Sequence, residues 1–351
     1  MLRVSLITLG DPQQMTGGYL YHRRMATAAP AHDAALRFVS CPDAIFPFGI
    51  LGARRVLPLA RDDSDVVVID SIAAWPVVPW VHRAATPPFV VMSHQVPGGI
   101  DHGPVRTWLQ ARLDVGTYRH ARLLMVASES LADDLRARRF PTDRIRVVPP
   151  GSDPAIPSGP PPDLRAGRHA AVLCVANWIP RKGILDLLDA FARLPADSAT
   201  LHLVGDEHVD RRYRARVLAR LRDPALGDRV VVHGPLPAPR VASMYQAADA
   251  FALPSTQEPY GTVIGEALAA GVPVIGWDAG NLPHLATHDR EAVIVAPGDT
   301  AGLAAGLQRL VEDDAYRGRL ADGARRRGQA LPSWGDTAQL FYAALHEIAG
   351  G

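Results

Sequence analysis

What most limits the folds open to this chain is a rhythm: short runs rich in β-branched residues recur between longer stretches of helix formers along its whole length. Such alternation marks parallel strands joined by helices that cover both faces of a sheet. Strands are predicted at 3–9, 66–70, 89–93, 123–127 and 145–148 in the first half, and at 171–176, 200–204, 230–233, 250–253, 273–277 and 292–295 in the second. With 351 residues the chain exceeds one ordinary core, so two Rossmann-like α/β domains with parallel sheets follow. Between the halves lies Pro149-Pro-Gly-Ser-Asp-Pro-Ala-Ile-Pro-Ser-Gly-Pro-Pro-Pro162, which can form neither helix nor central strand and reads as a linker. The predicted division is a domain at 1–150, a linker at 151–165, a second domain at 166–334 and a final helical segment at 335–351. Open parallel sheets bind ligands beyond the carboxyl ends of their strands, so the two domains are expected to face each other across a cleft.

Charge narrows the partners. Thirty-seven basic and 36 acidic residues leave a net charge of +1, which gives no electrostatic reason to expect nucleic acid. The N-terminal domain is locally basic (Arg106, Arg112, Arg119, Arg122, Arg136, Arg138, Arg139), a pattern suited to anionic lipid. The interspersed Asp114, Asp133 and Asp134 favour a solvated helix face instead. Cys41 and Cys174 make neither a metal pattern nor a disulfide framework, and the N-terminus lacks a signal peptide's features, so a cytoplasmic protein is expected. No apolar run approaches the ~20 residues that span a bilayer.

The chemistry concentrates in Glu258-Pro-Tyr-Gly-Thr-Val-Ile-Gly-Glu266. Pro259 and Gly261 keep Glu258 in a loop, while residues 262–270 are good helix formers that stop at Gly271 before Pro273. Free amides over Tyr260, Gly261, Thr262 and Val263, at the positive end of the helix dipole, suit an anion such as a diphosphate. A carboxylate on either side can accept protons from sugar hydroxyls: Glu266 from the ribose of a nucleotide, Glu258 from a transferred sugar.

The segment Leu253-Pro-Ser-Thr-Gln-Glu-Pro-Tyr-Gly-Thr-Val-Ile-Gly-Glu-Ala-Leu-Ala-Ala-Gly-Val-Pro-Val-Ile275 resembles the signature of family-4 glycosyltransferases, which have the GT-B fold and retain anomeric configuration. The resemblance implies further positions. Gly17 and Gly18, after the first strand in Gln14-Met-Thr-Gly-Gly-Tyr-Leu-Tyr-His-Arg-Arg24, match a glycine pair lying against donor diphosphate or acceptor. His94, at a strand's carboxyl end, matches a histidine near the anomeric centre; His22, His102 and His233 have weaker addresses. Gly234 and Pro235 match a loop whose backbone nears the base. Asn177-Trp-Ile-Pro-Arg-Lys-Gly183 resembles the element whose arginine and lysine neutralise the diphosphate, and Lys182 matches. Asn177 stands where the arginine should be, with Arg181 as a weaker substitute, since neighbouring side chains usually point apart. In Trp277-Asp-Ala-Gly-Asn-Leu-Pro-His284, Asn281 replaces a second glycine and His284 a glutamate. The final helix is expected to return to the N-terminal domain.

Asp63-Ser-Asp65 imitates a metal-binding Asp-x-Asp but precedes its strand, and no His/Cys cluster has metal-ligand spacing. No metal and no cofactor beyond a nucleoside-diphosphate sugar co-substrate is therefore expected. The implied reaction is retaining transfer of a sugar to an acceptor hydroxyl, a UDP-sugar being preferred over a GDP-sugar on family frequency. Glu258 and Glu266 lie too far apart along the chain to act as a retaining glycosidase's carboxylate pair; the resemblance implies His94, Lys182 and Glu258 as the catalytic candidates instead. A GT-B epimerase or phosphorylase, or a non-catalytic nucleotide-sugar-binding subunit, is the alternative. The acceptor is unnamed, a small polar molecule being favoured over lipid. Proline-rich aromatic loops at 41–50 and at Trp75-Pro-Val-Val-Pro-Trp80 are candidates for walling its pocket.

Overall fold

A computed structural model describes residues 1–11, 17–42, 46–81, 87–153 and 156–350. The chain forms two compact units, one of residues 1–151 with 332–351 and the other of 152–331.

The first unit is a six-stranded parallel sheet in the order β2-β1-β3-β4-β5-β6, with β1 Leu2–Leu9, β2 Ala34–Cys41, β3 Val66–Asp70, β4 Phe89–Ser93, β5 Leu123–Val126 and β6 Ile145–Val147. Every residue of β3, β4 and β5 is buried, because helices cover both faces and water meets neither. Strand β2 is absent from the sequence reading. It lies at the sheet edge, its burial alternates weakly, and Arg37 in its middle bonds to the Ser5 hydroxyl (2.8 Å) and the Leu59 carbonyl (2.9 Å). A second difference concerns residues 74–81. They form the helix Ala74–Val81 rather than a loop. Pro76 falls within the first turn, where amides have no intrahelical partner, so only Pro79 removes a bond.

The helix Trp334–Gly350 belongs to this unit. It opens on a reciprocal cap: the Asp336 amide donates to Ser333 Oγ (3.1 Å) and the Ser333 amide to Asp336 Oδ2 (2.9 Å). Phe341, Tyr342 and Leu345 then enter the core, and the Tyr342 hydroxyl donates to the Met25 carbonyl at 2.6 Å.

The second unit repeats the plan in the order β12-β11-β10-β7-β8-β9, with β7 Ala170–Val175, β8 Ala199–Val204, β9 Val230–Gly234, β10 Ala250–Ala252, β11 Val274–Trp277 and β12 Ala292–Val295. The proline-rich segment is no free spacer where it is described. The Ser158 amide donates to Ser243 Oγ (3.1 Å), Leu164 is buried, and the Leu164 carbonyl bonds His202 Nε2 (2.7 Å). Residues 154 and 155 of that segment, 12–16 of the glycine-pair motif and 43–45 of the aromatic loop lie outside the described residues.

Candidate functional site

In the second unit the helix Thr262–Ala269 is fixed at both ends by glycine. Gly261 precedes it at φ 87, a left-handed conformation in which an added Cβ would lie 3.0 Å from Ile264 and 3.1 Å from Leu285. At the other end Gly271 donates to the Leu268 carbonyl and Val272 to the Ala267 carbonyl, both at 2.9 Å, which is the Schellman pattern. The amides of Gly261, Thr262 and Val263 donate to no backbone carbonyl among the described residues, leaving an anion-binding helix start.

The Glu258–Tyr260 loop is clamped from β11's exit. Gly280, at φ 57, lies so close that a Cβ would come within 2.6 Å of the Glu258 amide nitrogen. Asn281 donates its backbone N–H to the Glu258 carbonyl (2.9 Å) and its buried Nδ2 to the Tyr260 carbonyl (2.7 Å). The asparagine that departs from the family pattern is thus a brace for this loop, and a glycine could not supply its second bond.

Lys182 and Arg181 converge on the same loop. The 3-10 turn Pro180–Lys182 ends at Gly183, whose φ of 68 and contact with the Pro254 carbonyl leave no room for a side chain. Lys182 Nζ pairs with Glu258 Oε2, and Arg181 Nη1 donates to the Gln257 carbonyl (3.0 Å). The expected divergence of these neighbours does not hold, because a tight turn rather than a strand carries them. Asn177 is occupied otherwise: its Oδ1 accepts the Asp206 amide at 3.0 Å, and its exposed side chain closes the turn after β8.

Glu266, one face further along the helix, borders a cavity of about 590 Å³ whose walls include Ile156, Leu236, Val241 and Tyr245. Tyr245 donates to Glu266 Oε2 (3.3 Å), sharing its hydroxyl with the Val263 carbonyl (3.1 Å). Burial raises the Glu266 carboxyl above its ordinary value, and the Tyr245 bond counters part of that. No motif marked Tyr245. Gly234 ends β9 at φ 67 and accepts the Gly205 amide (2.9 Å); it and Pro235 lead into Leu236 on the cavity wall.

The first unit carries the remaining candidates. Gly17 and Gly18 begin the helix Gly17–Ala28, and a Cβ on Gly18 would sit 3.5 Å from the His94 ring. His94 follows β4, with Tyr21 and His22 edge-on to its ring at 4.8 and 4.9 Å. Beneath it, His22 Nε2 bonds Asp70 Oδ2 (2.8 Å) in full burial, and the Ser71 hydroxyl joins Asp70 Oδ1 (3.1 Å) to the His94 amide (3.2 Å). Burial, and secondarily His22, push His94 down to about 3, so its ring is neutral at physiological pH. His22, Asp70 and His94 have potential ligand atoms within 4.8 Å of one another, a grouping of residues up to 72 positions apart that spacing could not foresee. Asp63 and Asp65 both pair with Arg3 at the strands' amino ends, which accounts for the Asp-x-Asp.

Comparison with known proteins places this geometry. Residues 2–151 match the glycosyl transferase 4-like domain and residues 162–327 match glycosyl transferases group 1. The chain is similar to the D-inositol 3-phosphate glycosyltransferase of Xylanimonas cellulosilytica, 33% identical over 229 residues, a match spanning 61% of this chain and 54% of that one. The chain thus spans about half the length of this curated relative. Among solved structures it resembles sucrose-phosphate synthase from Thermosynechococcus elongatus (TM-score 0.83, 21% identity, 99% of each chain). It also resembles Anabaena HepE in complex with UDP and glucose (TM-score 0.78, 19% identity, 99% of this chain and 100% of that one).

Proposed function

We propose, from the premise that the chain belongs to the family-4 glycosyltransferases with the GT-B fold, that it moves a sugar from a nucleoside-diphosphate sugar to an acceptor hydroxyl with retention of configuration. The second unit holds the donor and the first selects the acceptor. The observation that carries this reading is the placement of Glu266 between the open start of the helix Thr262–Ala269 and the 590 Å³ cavity. A base fits the largely apolar cavity, ribose hydroxyls reach Glu266, and the diphosphate lies at the amides of Gly261 to Val263. Lys182 stabilises charge on the leaving diphosphate, and Glu258 holds the transferred sugar. The neighbour solved with UDP and glucose supports uridine as the first donor to test, and the relative named for inositol phosphate supports a small polar acceptor.

The test is UDP release from UDP-glucose by the purified chain over a panel of small polyols, with the product's anomeric configuration read by proton NMR. An α-linked product from the α-donor supports the reading, and inversion contradicts retention. Asn177 favours one second reading, a nucleotide-sugar-binding subunit without turnover, because the cation implied at that position is missing. Slow hydrolysis of bound donor in the absence of acceptor would exclude it.

A further inference from the structure

The first unit contains a cavity of about 330 Å³ that the donor site does not use. It lies at the carboxyl ends of β1, β3 and β4, where Leu9, Ile72 and Gln95 reach its wall. Its volume is at the bottom of the roughly 300–1,000 Å³ range of small-molecule sites, which suits one ring and no extended chain.

Two features make it a built site. Gln110 is only 2% exposed, yet among the described residues its Oε1 has no hydrogen-bond partner, a costly state that a ligand hydroxyl would relieve. The floor beneath it is rigid: buried Asp114 accepts the Gly98 amide at 2.8 Å, and Gly98, at φ 102, packs so tightly that a Cβ would lie 2.6 Å from the Thr107 carbonyl. The walls add Trp75, which makes that side apolar, and Gln95, whose amide both donates and accepts as a hydroxyl does. The rim charges cancel, one on Asp101 and one on Arg106. Burial and Arg106 hold His102 below the usual imidazole range, so it adds none at neutral pH.

We propose that this cavity is the acceptor subsite and that its ligand is a single neutral sugar-like ring, a monosaccharide or cyclic polyol, bonded through its hydroxyls to Gln95 and Gln110. The inference rests on the glycosyl-transfer reading. In that step the acceptor oxygen bonds the donor's anomeric carbon, the bond from that carbon to the diphosphate oxygen breaks, and the hydroxyl proton leaves with the nucleoside diphosphate.

The test is calorimetric titration of glucose, galactose and myo-inositol into the full chain, beside a separate titration with UDP, for wild type, Gln110→Leu and Gln95→Ala. Saturable binding of at least one ring, weakened tenfold or more in each variant while UDP affinity holds, is the expected result. Two variants on different elements guard against a fold defect in one. Ring binding that neither variant weakens, or no ring binding by a wild type that binds UDP, overturns the subsite. A wild type that fails to bind UDP overturns the glycosyl-transfer reading itself.

Discussion

Lys182 and Glu258 form an ion pair in which each side chain is only 12% exposed, although they lie 76 residues apart. The pair is partly desolvated, so neither charge can be removed without leaving the other poorly solvated. In the proposed reaction, donor binding must reorganise it, with Lys182 turning to the diphosphate and Glu258 to the sugar. Lys182→Met should therefore lower kcat about 10- to 1,000-fold, or roughly 1.4 to 4 kcal/mol of transition-state stabilisation. Steady-state assays with UDP-glucose check this, and a rate within twofold of wild type would remove Lys182 from the chemistry.

Asn281 braces the Glu258–Tyr260 loop through a buried bond to the Tyr260 carbonyl. Asn281→Gly leaves that carbonyl without this donor, at a cost of about 1 to 2 kcal/mol. For a unit of this size that lowers the midpoint of thermal unfolding by about 2 to 8 °C, with KM for donor rising as the loop loosens. Calorimetric scans and donor titrations measure the two effects, and an unchanged midpoint would show that the bond is replaceable.

Two groups of the first unit titrate in opposition. His94, held near 3, binds its proton more weakly folded than unfolded, so its contribution to stability is present above the unfolded value of about 6.5 and is lost as pH falls toward 3. Burial drives Asp114 the other way, up to about 7, so its contribution is present below about 3.9 and is lost as pH rises toward 7. Between pH 4 and 6.5 the slopes cancel in part. His94→Gln should make stability fall more steeply with rising pH in that window, and Asp114→Asn should make it rise, each by up to about 1.4 kcal/mol per pH unit. Urea denaturation at pH 4.5, 5.5 and 6.5 reads the slopes; identical slopes in both variants would contradict the assignment.

Asn177 ties down the Asp206 amide where the family resemblance places an arginine. Asn177→Arg gives up that bond, about 1 kcal/mol of local stability, and adds a cation. If the position faces the diphosphate, kcat/KM should rise severalfold despite the small loss in thermal stability. Unchanged kcat/KM would mean that the site manages without a cation there.

Most of the architecture was legible because buried parallel strands write themselves as continuous apolar runs. Of the twelve strands among the described residues, eleven coincide with predicted runs, and β2 escapes because its half-exposed edge position admits Arg37 and blurs the pattern. The helix Ala74–Val81 escaped for the opposite reason: prolines read as loop, although an early position makes one of them harmless. In the candidate site, Glu258, Glu266 and Gly261 are proposed from one local motif around a helix start. Contacts made by distant residues left no such trace. Tyr245 reaches Glu266 from another helix, His22 meets Asp70 across 48 positions, and the bracing role of Asn281 depends on a carbonyl 21 residues away. Spacing along a chain reports what one element presents, while these partners are set by how elements pack.

The central claim is that the second unit grips a nucleoside diphosphate between Glu266 and the start of the helix Thr262–Ala269. Calorimetric titration of UDP into wild type and Glu266→Ala tests it most directly. The account predicts saturable binding to wild type and an affinity at least tenfold weaker in a variant that still unfolds cooperatively. Equal affinity in the two proteins would contradict the ribose role of Glu266, and absence of binding by uridine and guanosine diphosphates alike would contradict the donor site as a whole.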